Sequence, residues 1–131
     1  VKYTGFDDPE NPTFLKKLIE ITGAKCLSYA SENECCGEPV LAVNEQIALQ
    51  LAGEKLANAK AVGAQALITI CPACHMMFDA NQRRIEKAMN ETFGIPILHY
   101  PQLLGLAMGF SAEELAFDRL TISASKLLDT L

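Results

Sequence analysis

Ala66-Leu67-Ile68-Thr69-Ile70-Cys71-Pro72-Ala73-Cys74 is the stretch that decides the fold. Its first five residues run without the alternation of a half-exposed strand, the pattern of a strand buried on both faces of a parallel sheet. Cys71 then stands at the carboxyl end of that strand. Pro72 suits the first turn of a helix, and it fixes the backbone between the two cysteines while adding no donor of its own. The periodicity predicts that this helix runs over residues 73–92 and stops at Gly94.

Working outward, residues 44–62 read as a long Ala/Leu-rich helix, with Gly53 as an interior flaw and Gly63 as its stop. Residues 97–99 form a second buried strand, and residues 101–108 a short helix closed by Gly109. Towards the amino end, Asn11 and Pro12 open a helix that Gly23 ends, with Phe14, Leu15, Leu18 and Ile19 as its apolar stripe. Residues 24–29 then read as a short strand holding Cys26, and Ser111 and Ser123 can cap two further segments. Alternating strands and helices predict an α/β fold: a parallel sheet flanked by helices, in three layers of the Rossmann-like or flavodoxin-like kind. Working groups in such folds gather beyond the carboxyl ends of the strands.

Both cysteine motifs fall there. Cys35-Cys36-Gly37 sits in the polar loop after the first predicted strand, and Cys71-Pro72-Ala73-Cys74 follows the central one. A lone Cys-x-x-Cys is common to zinc sites, redox dithiols and chance. A Cys-Cys-Gly together with a Cys-Pro-x-Cys in a chain with five cysteines points to four thiolates, Cys35, Cys36, Cys71 and Cys74, converging on one metal centre. The blander alternative, cysteines as small buried hydrophobes, explains the pairing less well. A redox dithiol at Cys71 and Cys74 is the sharper rival, and it leaves Cys35 and Cys36 idle. Cys74, in the first turn of its helix, is expected to have a stabilised thiolate. Gly37 is expected to adopt a positive φ or to permit a close backbone approach. Glu34 and Glu38 flank the vicinal pair and call for a compensating cation. Cys26 reads as inert packing, His75 as a residue beside the site or on the helix surface, and His99 as a hydrogen-bonded strand end. Met77 and its neighbours Met76 and Phe78 read as core.

Bulk properties bound the rest. A chain of 131 residues, half of it apolar and a fifth charged, is enough for one domain with a real core. Its net charge of −5, with no tryptophan and no basic cluster, disfavours nucleic acid and anionic membrane as partners. No stretch approaches the roughly 18 apolar residues of a membrane span, and no signal peptide is visible. An odd number of cysteines, two of them adjacent, suits reduced thiols in a cytoplasmic compartment better than a secreted disulfide scaffold. The chain opens on Val1, which suggests a fragment of something longer.

Three segments together resemble a known family. They are Glu34-Cys35-Cys36-Gly37, the stretch from Ala66 to His75, and His99-Tyr100-Pro101-Gln102-Leu103-Leu104-Gly105-Leu106-Ala107-Met108-Gly109. With Gly5-Phe6-Asp7-Asp8-Pro9-Glu10-Asn11-Pro12, they are similar to the carboxyl-terminal cysteine-rich CCG domain of the heterodisulfide reductase B subunit. The resemblance implies that residues 1–131 are a single such domain of a larger two-domain protein. It also implies a non-cubane 4Fe-4S cluster held by five thiolates beside a disulfide substrate, with electrons supplied by a partner iron–sulfur subunit. Relatives of this kind serve other disulfides or quinone-linked succinate and fumarate enzymes. The fifth family cysteine would fall at or before residue 1, where Val1, Lys2 and Tyr3 do not supply it. Four thiolates alone would also suit zinc, as a structural docking module, or a conventional cluster, and an apo or disulfide-bonded form is a further expectation for the fragment.

Overall fold

A computed structural model of the chain describes residues 5–130. The central strand β1, Leu67–Thr69, pairs in parallel with β2, Ile97–His99, in the register Leu67 to Ile97, Ile68 to Leu98 and Thr69 to His99. Five principal helices surround them: α1 (Phe14–Glu20), α2 (Glu45–Ala61), α3 (Pro72–Phe78), α4 (Gln82–Met89) and α5 (Tyr100–Ala107). A last short helix, α6, covers Ser125–Leu128. The α/β class and the parallel pairing follow the reading of the sequence.

The two faces of the sheet bury different residues, as the two-residue period of a strand requires. Leu67 and Ile97 join the main core with Ala48, Ala52, Leu56 and Ala59 of α2, Met77 and Phe78 of α3, and Ile85 of α4. Ile68 and Leu98 face the other way, into a second cluster with Leu106 of α5, Phe117 and Ala124. On the first face, α2 crosses α4 so closely at Gly53 that an added Cβ would lie 2.4 Å from Met89 Cγ. Gly53 is therefore the contact point of two helices rather than a flaw in one.

Several boundaries differ from expectation, each for a local reason. The stretch expected as one helix over 73–92 is two, because Asp79 is buried and its carboxylate accepts the amides of Thr121 (2.8 Å) and Ile122 (3.2 Å). The fully buried Gln82 then opens α4, its side-chain amide donating to the carbonyls of Phe78 and Ile95 and its oxygen accepting the Ile95 amide. At α1 the capping is done by Asp7, whose Oδ2 accepts the amides of Thr13 and Phe14 at 2.9 Å, rather than by Asn11. The largest correction concerns residues 24–29. They are not a strand: no backbone hydrogen bond reaches residues 24–28 among the described residues, and the sheet there has two strands. An apolar extended segment becomes a strand only when an edge lies within bonding distance, and none does. The wider sheet that a three-layer doubly wound domain requires is thus not formed by the described residues.

Candidate metal-thiolate site

Cys71 leaves the carboxyl end of β1 and occupies the position just before α3, with extended backbone (φ −98, ψ 125) and Pro72 as the first helical residue. The backbone N–H groups of Cys74 and Ala73, unpaired within the first turn, face its sulfur and lower its pKa from the ordinary thiol range. The helix start therefore favours a thiolate at Cys71. The sequence assigns that benefit to Cys74, and the structure reverses it. The Cys74 thiol is half-buried, and burial together with the neighbouring Cys36 and Cys71 thiols pushes its pKa up to about 12.

Those neighbours are the central geometric fact. The loop bearing Cys35-Cys36-Gly37 folds over the start of α2 so that Cys36 is 2% exposed and packed into the main core, with Cys74 against the same cluster. Cys36 and Cys71, from the two motifs, thus both adjoin Cys74, while Cys35 and Cys71 face solvent. Gly37 makes the turn possible. Its φ is +83, and a Cβ there would lie 3.0 Å from the Ala48 carbonyl oxygen. The close approach is to the backbone of α2.

The residue that sequence reasoning missed is Lys55. It lies in the buried stripe of α2, and only 8% of its surface is exposed. Its ammonium donates to the carbonyls of Ser31 (2.9 Å), Glu32 (2.9 Å) and Glu34 (2.7 Å), using all three of its protons. Burial lowers its pKa, against the opposing pull of Cys74, Cys36, Glu34 and Cys35 around it. The ammonium meets the Cys35-Cys36 loop through these backbone carbonyls, the Glu34 carbonyl among them. A lysine at a core position of an otherwise apolar helix stripe was the signal that could have found it.

Two histidines complete the rim. His75, on α3 next to Cys74, stacks on His99 at the end of β2, ring centroids 4.1 Å apart and planes 16° from parallel. Its Nδ1 is buried without a hydrogen-bond partner among the described residues, and burial, aided by His99, lowers its pKa. The imidazole is consequently neutral at neutral pH. The His99 backbone amide donates to Gln102 Oε1 at 2.9 Å, which anchors the start of α5. Met77 and Phe78 are core as expected, and Met76 is half exposed. Cys26 stands apart, lining a cavity on the far side of β1, with its pKa raised by burial.

Among the described residues no three His, Cys, Asp or Glu side chains are already gathered as a cage for a single metal ion. The donor chemistry, soft thiolates from two turns with a buried cation behind them, suits a soft metal ion or an iron–sulfur cluster. A closed zinc site would need all four sulfurs about one point, at roughly 2.3 Å each.

The fold and these side chains define a parallel α/β domain with a thiol-lined rim. A family model described as the CCG cysteine-rich domain matches residues 2–79, and the chain belongs to that family. It is similar to the B subunit of the ferredoxin/F(420)H(2)-dependent CoB-CoM heterodisulfide reductase of Methanosarcina acetivorans, with 35% identity over 129 residues, covering 97% of this chain and 43% of that protein. It is likewise 36% identical over 114 residues to the B subunit of the ferredoxin:CoB-CoM heterodisulfide reductase of Methanosarcina mazei, covering 86% of this chain and 38% of that one. A third relative is the 8-methylmenaquinol:fumarate reductase membrane anchor subunit of Wolinella succinogenes, 31% identical over 126 residues, covering 96% of this chain and 44% of that protein. The chain thus spans less than half the length of these relatives. No helix among the described residues is long and apolar enough to cross a membrane.

Proposed function

We propose that this chain is one CCG domain of a larger, two-domain oxidoreductase subunit, of the kind of the heterodisulfide reductase B subunit. In this reading Cys35, Cys36, Cys71 and Cys74 bind a non-cubane 4Fe-4S cluster, with a fifth thiolate from elsewhere in the longer protein. The observation that carries the reading is the meeting of Cys36 with Cys74 and Cys71 at the carboxyl end of β1. When bound, the cluster would supply electrons, and an iron to which a substrate sulfur can attach, for cleavage of a small disulfide. The chain's own residues do the rest. Lys55 holds the Cys35-Cys36 loop and offsets thiolate charge, the α3 amides stabilise the Cys71 thiolate, and the stacked His75 and His99 rings shield the inner side. The electron donor would be a partner iron–sulfur subunit, and the compartment cytoplasmic. The partial chain is expected to lack turnover by itself.

A second reading has one specific observation behind it, the similarity to a fumarate reductase membrane anchor subunit. There the four cysteines would close a zinc ion, and the domain would dock a quinone-linked redox complex without carrying electrons.

Anaerobic reconstitution followed by iron, sulfide and zinc analysis separates the two. Iron with matching sulfide and broad visible absorption, lost in Cys36→Ser and Cys71→Ser, is the expected result. Colourless protein with one tightly held zinc would establish the second reading. Protein that binds neither, at full length, would end both.

A further inference from the structure

On the side of β1 away from β2 lies a cavity of about 920 Å³. Residues 24–27 and Tyr29 line its outer side, and residues 66–68 and Ile70 its inner side. Ala59 of α2 and Val62 just after it close it on one face, and Leu15 and Ile19 of α1 with Leu103 and Leu106 of α5 close it on the other. Both long sides carry unpaired backbone. Residues 24–28 make no backbone hydrogen bond among the described residues. On β1 the Leu67 amide donates to Pro96 O, so the N–H and C=O of Ile68 turn to the opposite edge, into the cavity.

We propose that this slot receives a third parallel β-strand, supplied by the longer protein from chain upstream of α1. Three observations select a strand of this origin. Apolar walls on both faces with polar backbone on both edges are the surroundings of a central strand; a small apolar molecule would leave those amides and carbonyls unsatisfied. Residues 24–29 connect to β1 through α2, the crossover that joins parallel strands of one sheet. Finally, α1 lies on the α5 face, its Leu18 carbonyl accepting the Tyr100 hydroxyl at 3.1 Å, whereas α2 lies on the α4 face. Right-handed crossovers put α1 opposite α2 only if the strand leading into α1 lies between residues 24–29 and β1. A strand outside residues 24–29 would put both helices on one face.

The seated segment should be a continuous run of about five apolar residues, rich in Val, Ile and Leu. Its carboxyl end would emerge at the same rim as Cys71. The inference shares with the proposed function only the longer protein, and nothing in it depends on a metal.

The test is amide hydrogen exchange of the full-length protein, metal-free, read at Ile68 and at residues 25–28, with native mass spectrometry of the same sample. Exchange roughly a hundredfold slower than in the 131-residue chain alone is expected, at the mass of the bare monomer. A proline placed in the upstream apolar run should abolish this protection while amides of α2 and α4 stay slow. Equal exchange in the two proteins would overturn the proposal. So would protection that survives the proline, that comes with the mass of a bound small molecule, or that appears only in a dimer.

Discussion

The loop carrying Cys35 and Cys36 and the segment carrying Cys26 are close in the chain and opposite in how they are held. The loop is polar and has a left-handed turn at Gly37, yet three of its carbonyls, at Ser31, Glu32 and Glu34, end on one buried ammonium. The segment at residues 24–28 has the apolar character of a strand and no backbone partner among the described residues. Hydrogen-bond satisfaction, rather than local propensity, decides which of the two is fixed. Cys36 consequently becomes a core residue, and Cys26 borders a cavity.

The strongest way to break this comparison is to remove the ammonium. Lys55→Met should cost about 3 kcal/mol in urea unfolding, because three partly buried carbonyls lose a charged donor together. The loop should then exchange like residues 24–28. A cost below about 1 kcal/mol would mean that water holds the loop equally well.

Within the held region, the two cysteines of the turn should differ in chemistry. In metal-free protein at neutral pH, Cys71 should alkylate roughly thirtyfold faster than Cys74, as its larger thiolate fraction is partly offset by lower nucleophilicity. Peptide mapping after brief iodoacetamide treatment measures the ratio. The pH dependence has two signs. A depressed thiol pKa at Cys71 adds stability above the unfolded value of 9.0, and this is lost as pH falls through the folded pKa. At Cys74 the folded pKa of about 12 exceeds the unfolded 9.0, so the unfolded state loses its proton first and stability drops as pH rises between them. Metal-free protein should thus weaken on the alkaline side, and Cys74→Ala should flatten that slope.

Smaller effects sharpen the contrast in packing. Gly53→Ala should destabilise by about 1–2 kcal/mol, since the clash with Met89 outweighs a helix-propensity gain of about 1 kcal/mol. Combining it with Met89→Ala should be less costly than the sum of the single changes. Leu27→Ala, on the open side, should cost less than about 1 kcal/mol in the 131-residue chain. A loss near 3 kcal/mol would show that residues 24–29 are packed as firmly as the loop.

What could be read from the chain itself is what short-range chemistry dictates. The run at residues 66–70 announced a buried strand, Pro72 a helix start, residues 44–62 a long helix, and the cysteine spacing a thiol site. Those signals lie within a few residues of the structure they specify. The division of residues 73–92 into two helices depends on Asp79 reaching amides more than 40 positions away, and the loop depends on Lys55 more than 20 positions away. The reversal of thiol acidity between Cys71 and Cys74 depends on which sulfur is buried against Cys36. Burial, and the pairing of polar groups across distant segments, are properties of the packed chain, so only the tertiary structure could decide them.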